Sequence, residues 1–431
     1  MTSSPYKYSI DNPLIVISGC TGTGKSDLGV AIAKEFNGEI INADSMQIYK
    51  GLDISSNKIS TEEMEGIPHH LLGFLEPTNS NYNVQNFRND ALNILNKIWS
   101  EQKLPILVGG TAYYIESVIF DNNLIATGDR EKGDLIRQEL LNEFPTVDLL
   151  YQELQRVDPV TAAELHRNNK HRVLRALEIY RSTGKTKSEH EKLQKLEAPE
   201  GFDHFYTRLR FKNTFLINLD MEKDVLNERL NKRVDKMMER GLLKEVADFY
   251  DQWFGKVDKF GIMQIIGPKE FLPYLRLNSV ERNCCRGDDI LDKCKEKLKI
   301  RNRQYSQRQR LWFYNRILNR GQYREIPKSL ALNSSKDFHG KLVPFAIKQV
   351  KQFLSGEEID DEKTCNGLLY KLPPLGEGFK QPDYMENRKK IFLCDICGTE
   401  VQGKIHWKQH LEGRKHKNNL EKSKNRIEIK G

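Results

Sequence analysis

A chain of 431 residues, 38% hydrophobic and 30% charged, is long enough for two or three domains and apolar enough for a sizeable core. No run approaches the ~18 apolar residues of a membrane helix, and residues 1–12 lack the apolar centre of a secretory signal, so neither membrane insertion nor export is expected. The net charge of +8 is uneven: residues 387–431 hold 12 Lys/Arg against 5 Asp/Glu, which is +7 of that total. Such a basic end meets nucleic acid or is simply solvated. Seven scattered cysteines, with Cys284 and Cys285 adjacent, argue for a reducing compartment rather than a disulfide framework.

In chain order, Leu14-Ile15-Val16-Ile17-Ser18 is short, apolar and β-branched, and reads as a buried parallel strand. It runs into Gly19-Cys20-Thr21-Gly22-Thr23-Gly24-Lys25-Ser26, a full G-x-x-x-x-G-K-S phosphate loop, and residues 27–36 then have helical composition and period. Strand, loop and helix in that order are the context the motif needs. The glycines let backbone N–H groups face an anion. Lys25 adds a point charge, Ser26 can hold Mg²⁺, and the helix N-terminus adds its dipole. The chain therefore binds a phosphorylated ligand, by default a nucleoside triphosphate.

Ile40-Ile41-Asn42 is a second strand ending at Ala43-Asp44-Ser45, residues 87–99 are helical, and Pro105-Ile106-Leu107-Val108 is a third strand ending at Gly109-Gly110-Thr111. This alternation predicts a parallel sheet covered by helices on both faces. Ligands then sit at the carboxyl ends of the strands, where the phosphate loop, Asp44 and Thr111 fall. A carboxylate at position 44 could hold Mg²⁺, stabilise a cation, accept a proton from a nucleophile, or merely cap the next segment. His69-His70 has no thiol or carboxylate at ligand spacing and reads as loop packing.

Residues 129–196 are helical and rich in Arg, Lys and Glu, as expected of an insertion, before Phe215-Leu216-Ile217-Asn218-Leu219 returns as a strand. Amphipathic helices are predicted over 223–240 and 289–315. In the first, Arg229 and Arg233 share a face and suit a pyrophosphate clamp or a solvated surface. In the second, Arg301, Arg303, Tyr305, Arg308, Gln309, Arg310 and Trp312 suit RNA phosphates with aromatic stacking, or again a solvated face. Residues 355–383 read as a linker. The end of the chain carries Cys394-x2-Cys397-x12-His410-x5-His416, the spacing of a ββα zinc finger whose four ligands close the metal's tetrahedron, so the zinc is structural. Phe392, Ile405, Trp407 and Leu411 are its candidate apolar core, and His406 belongs to the helix surface.

Taken together these pieces resemble the tRNA dimethylallyltransferases, in their eukaryotic form with a C-terminal zinc finger. The resemblance rests on Gly19 through Ser26 and on Asn42-Ala43-Asp44-Ser45-Met46-Gln47-Ile48-Tyr49, Gly66-Ile67-Pro68-His69-His70 and Val108-Gly109-Gly110-Thr111-Ala112-Tyr113-Tyr114. It continues through Val157-Asp158-Pro159, His171-Arg172-Val173-Leu174-Arg175-Ala176-Leu177-Glu178, the Gly261 to Gly267 segment and the Arg-Gln helix ending at Trp312. It implies transfer of a five-carbon prenyl group from dimethylallyl pyrophosphate to N6 of the adenine just 3′ of the anticodon. That replaces the default nucleoside triphosphate as the loop's ligand.

The implied roles carry over residue by residue. Gly19, Thr21, Gly22, Thr23, Gly24, Lys25, Ser26 and Arg233 would bind the donor pyrophosphate, with Thr21 and Arg233 also catalytic and Asp44 the general base. Asp44, Ser45, Met46, Gln47, Thr111, His171, Arg172, Arg175, Gln264, Arg303, Arg308, Gln309 and Trp312 would contact tRNA. Mg²⁺ at Ser26 would be the catalytic ion and Zn²⁺ the structural one. The partners expected are the tRNA anticodon stem-loop and the prenyl donor, with the protein a monomer in the cytoplasm, and mitochondrion and nucleus also open. Pro268 stands where a tyrosine is usual and Gln307 where a lysine or arginine is common, both on the expected RNA side. The fold class expected is α/β. A P-loop parallel-sheet core (1–120 and 205–354) holds a helical, tRNA-binding insertion (121–204) and C-terminal helices. A linker (355–386) and a small ββα zinc finger with basic tail (387–431) follow. The rival readings are a P-loop small-molecule kinase and a non-catalytic RNA-binding protein.

Overall fold

Short apolar runs such as Leu14–Gly19 and Leu104–Gly109 form strands buried along their whole length. In the computed structural model, which describes residues 10–121, 125, 130–196, 207–258, 261–318, 325, 327–360, 368–369 and 390–428, six strands pair in parallel. These are β1 (Leu14–Gly19), β2 (Gly38–Asn42), β3 (His69–His70), β4 (Leu104–Gly109), β5 (Thr214–Asp220) and β6 (Lys328–Asn333), in the order β3-β2-β4-β1-β5-β6. Register aligns Ile15 with Ile106 on one side and with Phe215 on the other. The described residues form two compact units, 1–122 with 206–372, and 123–205 with 373–431.

The first unit carries the sheet. Its first helices are α1 (Lys25–Glu35), α2 (Val84–Ser100) and α3 (Ala112–Ile119). The second unit contributes α4 (Arg130–Glu143), α5 (Val147–Val157), α6 (Pro159–Glu164), α7 (Lys170–Thr183) and α8 (Lys187–Leu196). The chain returns to the first unit for α9 (Lys223–Glu239), α10 (Leu242–Trp253), α11 (Pro268–Leu275), α12 (Ser279–Arg282), α13 (Cys285–Phe313) and α14 (Val343–Leu354). It ends in the second with β7 (Ile391–Cys394), β8 (Thr399–Gln402), α15 (Lys404–Glu412) and α16 (Arg414–Glu428).

Side chains alternate across a strand, so each of the inner strands β1, β2, β4 and β5 feeds two cores. Leu14 and Val16 of β1 join Ile41, Leu107, Phe87 and Ile115 beneath α2 and α3. Ile15 and Ile17 join Ile40, Ile106, Phe215 and Phe353 beneath α1 and α14. Burial on both faces is why these strands read as continuous apolar runs.

In the second unit Leu140, Leu150, Leu154, Val173 and Leu177 make the helical core. Asp158 accepts from the Thr161 and Ser188 amides at 3.0 Å each, so one carboxylate orders the starts of two helices. The finger packs within the same unit: Gln402 Nε2 donates to the Glu164 carbonyl at 2.6 Å, and Glu400 lies 3.5 Å from Arg167 Nε.

Two elements differ from expectation. His69-His70 is not loop packing but an edge strand paired with Ile40 and Ile41. Two residues are too few to show alternation. β6 pairs Leu330 with Ile217, and its edge position leaves Lys328 and Ser329 exposed, which hides the strand in a polar-looking run. The segment read as a linker lies mostly outside the described residues. Among the described residues no helix is long and apolar enough to cross a membrane.

Candidate active site

The phosphate loop closes on itself. Gly22 and Gly24 take φ of 91° and 86°, a left-handed backbone that turns N–H groups toward the loop centre. Thr23 Oγ1 and Lys25 Nζ both donate to the Cys20 carbonyl at 2.9 Å. Burial lowers the Lys25 pKa, opposed by the nearby Cys20 and Asp44. Burial also holds the Cys20 thiol up at about 11, so it stays protonated.

Helix α9 forms the facing wall. Arg233 Nη1 donates to Thr21 Oγ1 at 2.8 Å, and Arg229 Nη1 to the Gly22 carbonyl at 3.1 Å. The i, i+4 pair therefore rests on the phosphate loop instead of forming a solvated face. Burial lowers the Arg233 pKa to about 10, which leaves it cationic at neutral pH. Its Nε is buried with no hydrogen-bond partner among the described residues. A buried charged donor left unmet is costly, so it marks a place for an anion.

Asp44, at the end of β2, sits across the cleft. Its Oδ1 accepts from the Met46 amide at 2.9 Å, so it caps a turn as well as facing the site. Burial raises its pKa, against the Met46 amide and the Lys25 charge. Ser45 N donates to Thr111 Oγ1 at 3.0 Å, tying the ends of β2 and β4 together. A cleft of about 740 Å³ is lined by Thr21, Lys25, Ser26, Asp44, Arg229 and Arg233, with Met46, Gln264, Tyr305 and His339 around them. Gln47 also reaches it, but its amide is engaged by the Ser56 and Asn57 carbonyls at 3.1 and 3.0 Å.

Helix α13 divides the residues expected on RNA. Arg308 and Trp312 are exposed, and Trp312 lies 5.4 Å beneath the Arg316 guanidinium. Arg303 reaches Asn231 of α9. Gln309 departs from expectation: it is buried, with Oε1 accepting from Thr21 N at 2.9 Å and Nε2 donating to the Gly110 carbonyl at 3.2 Å. Arg310 also turns inward, onto Asp220 and the Met221 carbonyl. Pro268 is likewise buried, as the first residue of α11, and so does not present an RNA-facing side chain. Gln307 Nε2 is buried without a partner among the described residues. His171 and Arg172 lie exposed at the start of α7 in the second unit, whereas Arg175 is held by Glu178 and the Ile125 carbonyl.

Sequence reasoning missed Asn302, Tyr305, Phe338 and His339 as cleft residues. Phe338 packs so closely on the loop that a Cβ at Gly24 would meet its ring at 2.6 Å. The first two follow from helical spacing with Gln309 on α13. Nothing local in the sequence points to the other two.

At the finger, ligand atoms of Cys394, Cys397, His410 and His416 lie within 4.8 Å of one another. His416 Nδ1 is 3.4 Å from Cys394 Sγ and 3.5 Å from Cys397 Sγ. Tetrahedral zinc, with Zn–S ~2.3 Å and Zn–N ~2.0–2.1 Å, places such neighbours about 3.6 Å apart. His410 Nε2 is buried and unpartnered among the described residues, as a waiting ligand would be. Asn419 Nδ2 donates to Cys397 Sγ at 3.5 Å and orients that thiolate. The site fits a structural zinc. The finger's core is thin: Phe392 stacks on Trp407 at 5.3 Å, whereas the other two candidates, Ile405 and Leu411, are exposed. His406 lies on the helix surface, as expected.

Residues 47–316 match a family model described as IPP transferase, and residues 392–416 one described as a zinc-finger of C2H2 type. Over 423 residues the chain is 34% identical to the tRNA dimethylallyltransferase of Homo sapiens, spanning 95% of this chain and 86% of that protein. Against the tRNA dimethylallyltransferase of Schizosaccharomyces pombe identity is 32% over 451 residues, 96% of each chain. Among solved structures, a eukaryotic dimethylallyltransferase acting on tRNA matches with a TM-score of 0.72 at 31% identity, over 97% of this chain and 98% of that one. The tRNA isopentenylpyrophosphate transferase of Bacillus halodurans matches at 0.51 and 31%, over 80% and 98%.

Proposed function

This chain belongs to the IPP transferase family, that of the tRNA dimethylallyltransferases, and from that premise we propose that it prenylates tRNA. The donor is dimethylallyl pyrophosphate and the acceptor is N6 of the adenine immediately 3′ of the anticodon. One observation carries the assignment. Arg233, with one nitrogen on Thr21 and its Nε unmet, shares a cleft with Lys25 and faces Asp44. An anion-binding wall thus stands opposite a half-buried carboxylate.

An adenine amine is a poor nucleophile because its lone pair is delocalised into the ring. Allylic pyrophosphate compensates, since its C1–O bond breaks readily once the departing charge is neutralised. Lys25, Arg233, Arg229 and the loop N–H groups hold the pyrophosphate. Lys25 can release the Cys20 carbonyl for a phosphate oxygen, a stronger acceptor. The N6–C1 bond forms as the C1–O bond breaks, pyrophosphate leaves with the bonding pair, and the N6 proton passes to Asp44. Burial suits Asp44 to that role, since a carboxylate with a raised pKa is a stronger base. Thr21 and Arg233 orient the leaving group, while Ser45 and Thr111 brace the acceptor side.

Ser26 lines the cleft at the first turn of α1 beside Asp27, two oxygen-bearing side chains of the kind a hard cation takes. Mg²⁺ would be held there by Ser26 together with pyrophosphate oxygens, and would supply further charge neutralisation to the leaving group. The adenine must leave its stack to reach Asp44, so the tRNA-binding surfaces have to hold a distorted loop. Exposed Arg308 and Trp312 of α13, and the basic finger, supply them.

The test is direct. Purified protein is incubated with an anticodon stem-loop and either labelled dimethylallyl pyrophosphate or labelled ATP. Label entering RNA from the prenyl donor alone is expected. Turnover of ATP with no transfer from the prenyl donor would overturn this reading in favour of a P-loop kinase.

A further inference from the structure

Gln309 belongs to a run whose composition suits RNA contact, yet only 7% of it is exposed. Its carboxamide spans two loops. Oε1 accepts from the Thr21 amide at 2.9 Å, and Nε2 donates to the Gly110 carbonyl at 3.2 Å. The approach is so close that a Cβ on Gly110 would lie 2.3 Å from Gln309 Nε2. Tyr305, one turn earlier on α13, lines the same cleft as Asp44.

Each loop carries one half of the site. On the donor side, Thr21 Oγ1 accepts from Arg233 at 2.8 Å. On the acceptor side, Thr111 Oγ1, one residue past Gly110, accepts from Ser45 N at 3.0 Å, and Ser45 follows Asp44. A phosphate loop turns most of its N–H groups inward, but that of Thr21 is committed to a side chain 288 positions away. We infer that Gln309 is a positioning residue, a crossbar that sets the spacing between the pyrophosphate-holding and adenine-holding halves of the site. The same helix presents Arg308 and Trp312 outward, so RNA engaged on that face biases the crossbar and strengthens donor binding. Thermodynamic reciprocity requires the converse as well.

This inference rests on the prenyl-transfer reading, and its test separates the two. Donor-limited and single-turnover rates, tRNA affinity, and inorganic pyrophosphate affinity with and without tRNA are measured for wild type, Gln309→Ala, Gly110→Ala and the double variant. Gln309→Glu, which keeps an acceptor for Thr21 N, is a second probe should Gln309→Ala fail to fold. Removing a buried hydrogen-bonding partner is worth about 5- to 100-fold. Gln309→Ala and Gly110→Ala are each expected to lower kcat/KM for the donor by about that factor, and Gln309→Glu by less. Both should leave tRNA affinity within about threefold and abolish the tRNA-dependent gain in pyrophosphate affinity, which for wild type is expected to be about fivefold or more. The double variant should resemble Gln309→Ala alone, because the added methyl then has no carboxamide to displace.

Additive losses in the cycle overturn the crossbar. So does a tenfold loss of tRNA affinity in Gln309→Ala with pyrophosphate coupling intact, which would make Gln309 an RNA-binding side chain. Should wild type transfer no prenyl group, the reaction fails, yet the pyrophosphate arm still decides the crossbar.

Discussion

Arg233 Nη1 donates to the Thr21 hydroxyl at 2.8 Å, joining α9 to the phosphate loop across 212 positions of sequence. The guanidinium is thereby held with its Nε still unmet. A lysine could restore the charge and a donor but not the fork, which holds Thr21 with Nη1 while leaving Nε for the anion. Arg233→Ala and Arg233→Lys are both expected to lower kcat/KM for the prenyl donor by about 10- to 100-fold, the worth of a charge-assisted hydrogen bond. Donor titrations at saturating tRNA check this, and a Lys variant with near wild-type kcat/KM refutes the fork argument.

Asp44→Asn keeps an acceptor for the Met46 amide, so it removes the base while preserving the turn. The single-turnover rate should fall about 10²- to 10⁴-fold, with tRNA affinity unchanged by filter binding. A rate within threefold of wild type would remove Asp44 from the mechanism.

The pH dependence follows from the direction of the Asp44 shift. Burial raises its pKa above the usual carboxylate value of about 4. As a base it must be ionised, so the single-turnover rate should rise with unit slope through the raised value and then level off. Bound pyrophosphate, itself negative, moves that limb further up. A raised folded pKa also means that folding favours the protonated form. Its stabilising contribution is present below the unfolded pKa and is lost as pH rises through the folded one. Asp44→Asn should therefore be more stable than wild type at neutral pH by thermal melting, the usual exchange of stability for function. A rate flat down to pH 4 contradicts both parts.

How much of this could be read in the sequence depended on locality. The phosphate loop, the strand-end place of Asp44 and the zinc ligands were legible because each motif lies within a few residues or at fixed spacing, and the four inner strands because they are buried on both faces. The inward turn of Gln309 and Arg310 was not. On a 29-residue helix their neighbours Arg308 and Trp312 face outward, and composition does not record which way a helix is rotated. The cleft residues Phe338 and His339 arrive from beyond β6, whose polar edge concealed the strand that positions them.

Arg310 meets the Asp220 carboxylate through Nε at 3.0 Å, and the Asp220 side chain is only 4% exposed. Burial pushes the Asp220 pKa up, and Arg310 opposes that shift. Removing the arginine leaves an uncompensated buried charge, so Arg310→Ala should destabilise the protein by about 3–5 kcal/mol. Replacing both partners, as Asp220→Asn with Arg310→Met, should recover most of that in denaturant titrations. If the double variant is no more stable than Arg310→Ala, the cost is poorer packing, not a stranded charge.

The finger offers the cleanest separation of binding from chemistry. Its four ligands would leave zinc no open position, and residues 387–431 carry +7. Every proposed catalytic side chain lies at or before Arg233. Deleting residues 387–431 should weaken tRNA binding chiefly through the salt-dependent term, lowering the slope of log K against log salt by about 0.7–0.9 for each phosphate that the protein no longer neutralises. The single-turnover rate at saturating tRNA should change less than about threefold. Zinc chelation should reproduce the deletion, because so small a module, whose described apolar core is little more than the Phe392–Trp407 stack, cannot hold its fold without metal. Chelation should also free Gln402 from the Glu164 carbonyl, exposing the finger to proteolysis while the helices of the insertion persist. Affinity at two salt concentrations, a saturated rate and limited proteolysis together decide the matter. An unchanged salt slope with a collapsed saturated rate would place the finger in the active site and overturn this division of labour.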